Sequence, residues 1–159
     1  MYTHLVKAVS TLDSHTLLLV FQDGTEKTYD IRQLYDDYPC FKVLEENQDL
    51  FQQVRLCGNA GYAIYWNDDL DLSANELWYS SIPTGIVHKI SDMEALAVNL
   101  TYARASLNMY QSDLAKKSGI AQGDISDIER GKANPTFKTL KRLADAMNMR
   151  LKIEFVPKE

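Results

Sequence analysis

The first part of the chain changes its hydrophobic pattern every few residues, which is typical of short strands. Apolar and β-branched residues form runs at 5–9, 16–21 and 27–31, and runs of this length favour a sheet. Asp23-Gly24 lies between the second and third runs, and this pair is frequent in type I′ turns because both residues tolerate positive φ angles. We therefore predict a β-hairpin that turns at Asp23-Gly24.

Further along, strand-like runs alternate with signals for short helices. The runs at 55–57 and 62–66 are predicted to be strands joined through Gly58–Gly61. Asp49 is a candidate cap for a short helix that follows it, and Ser73 begins a sequence with the form of a capping box. These signals together indicate a mixed domain in which strands dominate.

The segment Ile82-Pro83-Thr84-Gly85 interrupts this pattern, because proline and glycine both break regular structure. We therefore expect a small α+β N-terminal domain over residues 1–85. After it the apolar residues recur with the period of a helix. Residues 86–159 are accordingly predicted to form an all-α domain with a C-terminal β-strand.

Four helices are predicted in this second half. Ser91 and Glu94 have the capping-box spacing at the start of the first helix, and Asn108 is its expected C-terminal stop. The apolar face of that helix consists of Leu96, Leu100, Ala103 and Leu107. The three shorter helices cover residues 111–117, 122–130 and 137–147.

The net charge of −5 hides two different halves. Residues 1–91 contain 6 Lys+Arg and 13 Asp+Glu, a difference of −7, whereas residues 92–159 contain 11 and 9, a difference of +2. A protein that bound nucleic acid through bulk charge would be basic overall. Any nucleic-acid binding is therefore expected to be local to the second half.

Motifs for catalysis, metal binding and membrane insertion are missing from the sequence. Cys40 and Cys57 do not have the spacing of a metal site or a disulfide framework. The three histidines are far apart in the sequence, and none has a nucleophile or carboxylate at the spacing of a catalytic motif. There is no phosphate-binding glycine loop, no apolar run of about 20 residues and no signal peptide. We expect a cytoplasmic protein that is not an enzyme and has no cofactor, no metal site and no membrane contact.

The shorter helices carry a specific combination of residues around a tight turn. The combination consists of Gln111, Leu114-Ala115, Gly119 in the turn, Ile125-Ser126, Ile128-Glu129, Gly131 and Asn134-Pro135. Residues from about Met93 to Met149 closely resemble the Xre / lambda-repressor-like helix-turn-helix family. The resemblance implies a lambda-repressor-like fold and double-stranded operator DNA as the partner.

A helix in the major groove contacts base edges mainly through its N-terminal residues. Positions in the recognition helix that do not pack inward are therefore the candidate base contacts. They are Gln122, Gly123, Ser126 and Asp127. A glutamine can make two hydrogen bonds to adenine, whereas an aspartate only accepts and favours the cytosine amino group.

Backbone phosphates are expected to be contacted from the flanks of this helix. The family resemblance implies that Gln111 contacts phosphate and supports the recognition helix. Thr136 and Lys138 lie at a predicted helix N-terminus, which attracts anions, and Lys132 supplies charge in the preceding loop. Arg104 and Glu129 match family positions that commonly pair inside the helical domain, so we expect a structural ion pair.

Three features of the first half form a second recognisable combination: the hairpin around Asp23-Gly24, the motif Leu50-Phe51-x-x-Val54, and the segment from Trp66 to Asp71-Leu72. With them, the first half resembles a small bacterial α+β domain of unknown function that occurs alone or ahead of a helix-turn-helix. The resemblance implies no activity. Because this half is acidic and precedes a DNA-binding half, we hypothesise that it is a regulatory or partner-binding module.

The last residues predict how two chains associate. Leu151–Val156 alternates apolar and polar side chains but has no neighbouring run to close a hairpin. We therefore predict a homodimer whose contact includes Leu151, Ile153 and Phe155. The sequence favours a dimeric repressor, with an antitoxin that represses its own operon and binds a toxin as a narrower hypothesis. The alternative is a protein-interaction module that keeps a degenerate helix-turn-helix.

Overall fold

The computed structural model describes residues 4–57, 61–155 and 157. The chain divides into two compact units between Ala95 and Leu96. We call the part before this point the sheet unit and the part after it the helical unit. The sequence predicts an earlier boundary, after residue 85.

The sheet unit begins with three strands, β1 (Val6–Thr11), β2 (Thr16–Phe21) and β3 (Thr25–Asp30). They pair antiparallel, and Leu19 lies opposite both Val9 and Lys27. The predicted hairpin is confirmed, but its turn differs from the predicted type. Residues 22–24 form a three-residue loop in which only Gly24 has a positive φ, of 89°, as in a turn followed by a bulge rather than a type I′ turn.

The remaining elements of this unit include two short helices that precede a second sheet. In chain order they are α1 (Val43–Glu46), α2 (Gln48–Phe51), β4 (Arg55–Leu56), β5 (Ala63–Asn67), β6 (Leu70–Ser73), α3 (Ala74–Ser80) and β7 (Ile82–Val87). Strands β4, β5 and β6 form this sheet in that order. The predicted Gly58–Gly61 connection lies outside the described residues except for Gly61.

Two predicted helix caps can be compared with the structure. Ser73 Oγ accepts a hydrogen bond from the Glu76 N–H at 3.1 Å, so the predicted cap of α3 is confirmed. The predicted Asp49 cap is wrong, because Asn47 Oδ1 accepts from the Leu50 N–H at 3.0 Å and α2 starts earlier. An asparagine side chain performs the same capping role as an aspartate.

Strand β7 occupies the segment that the sequence marks as a junction. It pairs antiparallel with β3, and Thr25 lies opposite Val87. Proline is tolerated here because β7 is at the edge of the sheet, whose strand order is β1-β2-β3-β7. Gly85 has a φ of 86°, and the register shifts between Thr25 and Lys27. The junction segment is therefore an irregular edge strand that runs across the predicted boundary.

Aromatic and aliphatic side chains fill the core of the sheet unit. Trp66, Phe51 and Tyr29 are each at most 1% exposed. The Trp66 indole N–H donates to the Phe51 carbonyl oxygen at 3.0 Å, so this large ring is buried with its polar group satisfied. Burial also raises the pKa of Tyr29.

The helices of the second half are α4 (Asp92–Ser106), α5 (Gln111–Ser118), α6 (Gln122–Glu129) and α7 (Phe137–Ala146). The capping box before α4 is confirmed, because Ser91 Oγ accepts from the Glu94 N–H and Glu94 Oε2 accepts from the Ser91 N–H. Left-handed residues follow the four helices, as expected for C-terminal stops. They are Asn108, Gly119, Gly131 and Asn148.

The core of the helical unit contains most of the apolar residues that the helical periodicity selects. The buried cluster comprises Leu100, Met109, Leu114, Ile120, Ile125, Ile128, Leu143 and Met147. Leu107 was predicted on the apolar face but is exposed, because α4 already ends at Ser106. Among the described residues, no helix combines the length and apolar character required to cross a bilayer.

The predicted C-terminal strand is wrong for the single chain. Residues 151–155 have no regular structure, and Val156 lies outside the described residues. Of the predicted buried face, Ile153 is 57% exposed and Phe155 99% exposed, whereas Leu151 is half-buried. A strand requires a partner for its backbone groups, and alternation within one segment does not supply that partner.

Candidate nucleic-acid interface

Helices α5 and α6 are joined by a turn that requires glycine. Gly119 has a φ of 67°, and its N–H donates to the Ala115 carbonyl oxygen at 2.9 Å. Arg142 from α7 donates through Nη2 to the Ser118 carbonyl oxygen at 2.8 Å, satisfying a group at the end of α5. The sequence and these bonds fix a tight helix-turn-helix.

The two sides of α6 are clearly different. Ile125, Ile128 and Glu129 are buried against the rest of the helical unit. Gln122 and Gly123 are exposed at its N-terminal end. A helix that presents its first turn to solvent in this way has the geometry by which helix-turn-helix proteins read base edges.

The other two predicted base contacts, Ser126 and Asp127, are half-buried. Asp127 is engaged within the chain, because its Oδ1 accepts a hydrogen bond from Arg130 Nη2. The structure therefore brings all four predicted positions to one side of α6, but it gives Asp127 a cationic partner.

Arg130 is the residue of this surface that sequence reasoning missed, since we treated it only as the end of the helix. Its Nε donates to the Ser126 carbonyl oxygen at 3.3 Å. The signal that could have revealed it is the spacing of Asp127 and Arg130, because residues three apart on a helix are neighbours.

A buried polar network supports α6 from behind. Arg104 donates through Nε and Nη2 to the two carboxylate oxygens of Glu129 at 2.6 and 2.8 Å. Its Nη1 donates to the Met109 carbonyl oxygen at 2.7 Å. The expected internal ion pair is confirmed, and its fork geometry is the strongest form of such a pair.

Gln111 extends this network, because its Nε2 donates to Glu129 Oε2 at 2.9 Å. The amide therefore connects α5 to α6. Its predicted contact with a phosphate stays a prediction.

The other predicted phosphate contacts surround the loop after α6. Lys132 and Lys138 are exposed, and the Lys132 N–H donates to the Asp127 carbonyl oxygen at 2.8 Å. Thr136 caps α7, because its Oγ1 accepts from the Thr139 N–H at 3.2 Å. The exposed side chains of Lys132 and Lys138 therefore lie on either side of the Thr136 cap in the sequence.

A cleft of about 370 Å³ lies between the recognition helix and the start of α7. Its walls include Asp124, Asp127, Thr136 and Arg142. Two of these side chains are carboxylates, so the cleft has no clear preference for anions. No group of three or more His, Cys, Asp or Glu residues that could hold a metal ion occurs in the part of the chain that the structure describes.

The fold and this surface define a helix-turn-helix protein with an additional sheet domain before it. Comparison with known proteins agrees with this class. The family model described as "Helix-turn-helix" matches residues 100–152, and the model described as "Protein of unknown function (DUF2442)" matches residues 6–83.

Curated relatives identify the family. An uncharacterised HTH-type transcriptional regulator of Methanocaldococcus jannaschii is 37% identical over 57 residues, which cover 36% of this chain and 86% of that protein. An uncharacterised HTH-type transcriptional regulator of Archaeoglobus fulgidus is 36% identical over 53 residues, or 33% of this chain and 75% of that protein. The chain belongs to the Xre-like helix-turn-helix family of DNA-binding transcriptional regulators, with a DUF2442 domain in front.

Two solved structures are also similar to this chain. A mutant of the restriction-modification controller protein C.Esp1396I is 28% identical, with a TM-score of 0.37, over 39% of this chain and 80% of that chain. A putative DNA-binding protein from Nitrosomonas europaea is 12% identical, with a TM-score of 0.42, over 99% of this chain and 96% of that chain.

Proposed function

We propose that this protein is a sequence-specific repressor that reads the major groove of operator DNA with residues 122–130. The observation that carries the proposal is the outward side of α6, where Gln122 and Gly123 are exposed while Ile125 and Ile128 anchor the opposite side. Membership of the helix-turn-helix family supports the same role. Gln122 is the candidate adenine reader, and Ser126 can donate or accept.

Charge determines how strong this binding is expected to be. The second half has a net charge of only +2, and non-specific affinity depends on the number of phosphates neutralised. We therefore expect weak non-specific binding, with affinity built from a few base contacts that a dimer makes twice.

The test is to select binding sites from a randomised DNA duplex pool with the full chain. The selected duplex and a scrambled duplex are then titrated at several salt concentrations. A repressor prefers the selected sequence and shows a negative salt slope. Equal affinity for the two duplexes at low salt would overturn the proposal in favour of the protein-interaction alternative.

Two variants separate base contacts from phosphate contacts. Gln122→Ala should relax the preference at one or two base pairs, at a cost of about 1–3 kcal/mol. Lys132→Ala should weaken binding to both duplexes equally and make the salt slope shallower. Lys141→Ala is the control, because Lys141 pairs with Asp145 on the exposed face of α7.

We further propose a homodimer whose contact includes Leu151, Ile153 and Phe155. Ile153 and Phe155 are exposed in the single chain, and burying apolar surface favours association. Two strand-forming tails from two copies can supply the backbone partners that each lacks. A dimer would place two recognition helices at half-sites about one DNA turn apart.

Sedimentation of the full chain and of a chain that ends at Met149 tests the dimer contact. The truncated chain should sediment as a monomer at concentrations where the full chain is a dimer. An unchanged dimer after truncation would exclude the tail as the contact. Lys152→Ala serves as a matched control, because it changes the tail without removing apolar surface.

The narrower proposal is an antitoxin that binds a toxin and represses its own operon. Its support is the combination of a helix-turn-helix with an exposed apolar tail. Co-expression with the neighbouring open reading frame, followed by purification through a tag on this chain, would test it. Failure of the neighbouring gene to impair growth on its own would count against the antitoxin role.

We propose that the sheet unit is a regulatory or partner-binding domain. Residues 1–91 have a net charge of −7, and this negative charge does not favour contact with DNA. The test compares the full chain with residues 91–159, which retain the Ser91 cap of α4. Identical DNA affinity, salt dependence and oligomeric state in the two chains would overturn this role.

A further inference from the structure

Arg130 is the residue that ends α6 as its C-cap, and it lies on the outward side of the helix. Each residue of an α-helix advances by about 100° around the axis. Relative to Gln122, Ser126 lies at roughly 40°, Arg130 at roughly 80° and Asp127 at roughly 140°. The buried residues Ile125 and Ile128 lie at roughly 300° and roughly 240°, on the opposite side.

The Arg130 side chain is directed back along the helix by two hydrogen bonds. Nε donates to the Ser126 carbonyl oxygen at 3.3 Å, and Nη2 donates to Asp127 Oδ1. The Arg130 side chain as a whole is 28% exposed. The guanidinium therefore lies beside two positions that a recognition helix uses to read bases.

Arginine is chemically suited to this position. A guanidinium has five N–H donors, and these two bonds use two of them. Arginine that donates to O6 and N7 of guanine is the commonest specific contact in the major groove. A paired carboxylate limits the rotamers of the arginine, so less conformational entropy is lost on binding.

We propose that Arg130 is a specificity-determining residue that reads a guanine in the operator, and that Asp127 is the positioning residue that holds it. The inference rests on the proposed function of α6 as the recognition helix. It changes the expected role of Asp127, which then acts through Arg130 instead of accepting directly from a cytosine amino group.

The first experiment repeats the selection from the randomised duplex pool with Arg130→Ala and Arg130→Lys. Wild type should select a guanine at one position of each half-site, and both variants should lose that preference by about tenfold or more. Lysine retains the charge but not the planar fork. An unchanged selected guanine with Arg130→Ala, or an equal loss on all sequences with a shallower salt slope, would overturn the reading role.

The second experiment replaces the selected guanine by 7-deazaguanine, which lacks the N7 acceptor. Wild-type affinity should fall, whereas the affinity of Arg130→Ala should not change further. A similar fall for both proteins would show that another group contacts N7.

The third experiment separates positioning by Asp127 from direct reading. Asp127→Ala should weaken the preference for the same guanine as Arg130→Ala, and should add no further loss in the double variant. A preference lost at a different base pair, or an additive loss in the double variant, would overturn the positioning role. Lys132→Ala is the control for a general loss of affinity.

These outcomes separate the two proposals. If the wild-type protein prefers a sequence and Arg130→Ala keeps the same preference, this inference is overturned and the proposed function remains intact. Wild type without any sequence preference overturns both. Circular dichroism of each variant shows whether α6 is still folded.

Discussion

The two units of the chain handle charge in different ways. In the helical unit, the Arg104 and Glu129 side chains are only 6% and 5% exposed and bind each other through a complete fork. In the sheet unit, Glu26 is also buried, but its hydrogen-bond partner His88 is 44% exposed, and the paired Lys7 and Glu94 are 41% and 38% exposed. In the helical unit both partners of the ion pair are therefore buried, whereas each of these pairs in the sheet unit has at least one partner exposed to solvent.

The difference matters because breaking a buried pair is much more costly than breaking an exposed one. The network also connects α4, α5 and α6 through Arg104, Gln111 and Glu129. We infer that this ion pair, together with the buried Ile125 and Ile128, fixes the orientation of α6, whereas the sheet unit depends mainly on its apolar core.

The largest expected effect is that of Arg104→Met, which leaves Glu129 buried without its cation. The helical unit should lose about 3–5 kcal/mol of unfolding free energy. Both tryptophans, Trp66 and Trp78, precede residue 95, so fluorescence reports the sheet unit while circular dichroism at the helix band also reports the helical unit. The circular dichroism transition in denaturant should shift and the fluorescence transition should not.

Two variants sharpen this result. Lys7→Met breaks an exposed pair and should cost less than about 1 kcal/mol. Replacing both buried partners, with Arg104→Met and Glu129→Leu together, should recover much of the lost stability. Equal shifts of both transitions in Arg104→Met would mean that the two units unfold as one.

Leu77→Ala tests the apolar core of the sheet unit, as Arg104→Met tests the ion pair of the helical unit. Leu77 is fully buried in the sheet unit. The cavity that it leaves should cost about 2–5 kcal/mol and move the fluorescence transition. Leu12→Ala is the matched control, since Leu12 is 59% exposed and its loss should change stability by no more than about 0.5 kcal/mol. Similar effects of the two substitutions would contradict the apolar core as the source of stability in this unit.

Acid should destabilise the sheet unit. The Lys7 ammonium and hydrogen bonds from Ser91 lower the pKa of Glu94 from 4.5 to about 2, and hydrogen bonds from His88 and Thr84 lower the pKa of Glu26. A carboxyl with a lowered folded pKa binds more protons when unfolded, so its stabilisation is present above pH 4.5 and is lost as the pH falls towards about 2. Denaturant midpoints measured by fluorescence across this range should decrease.

Glu94→Gln identifies the source of the acid effect. This variant should be less stable than wild type above pH 4.5 and should show a smaller loss between that pH and about 2. A pH dependence identical to that of wild type would exclude Glu94 as a contributor.

Two glycine substitutions are expected to change stability in opposite directions. A Cβ at Gly123 meets nothing within 4 Å, so Gly123→Ala should stabilise α6 by about 1 kcal/mol. Gly24 has a φ of 89°, and a Cβ there lies 2.2 Å from the His88 carbonyl oxygen, so Gly24→Ala should destabilise the hairpin by at least about 1 kcal/mol. Thermal melts of both variants check the opposite signs, and a stabilised Gly24→Ala would contradict them.

Local signals in the sequence predicted much of the helical unit. The Ser91 capping box and the left-handed Gly119 each depend on residues within one or two turns of helix. The outward side of α6 follows from the 3.6-residue period for the same reason. The spacing of Asp127 and Arg130 makes them neighbours on the helix, but the hydrogen bond from the Arg130 Nε to the Ser126 carbonyl oxygen depends on the side-chain rotamer, which periodicity does not give.

Pairing between distant segments explains why the sequence did not predict the strands correctly. Strand β7 contains Pro83 and Gly85 and becomes a strand only because β3 offers it a pairing edge. Strand β6 is not among the elements that the sequence predicts, and it follows the acidic pair Asp68-Asp69 and pairs with β5. The tail at 151–155 shows the converse, since it has the strand pattern but pairs with no strand among the described residues.

The pairing of β3 with β7 also sets an order of events during synthesis. Because Thr25 pairs with Val87, the fourth strand cannot be added until the ribosome has released the chain beyond residue 87. Contacts between distant residues form slowly, and an uncovered strand edge attracts other chains. The rate of translation between β3 and β7 therefore determines how long a nascent chain carries an open edge on β3.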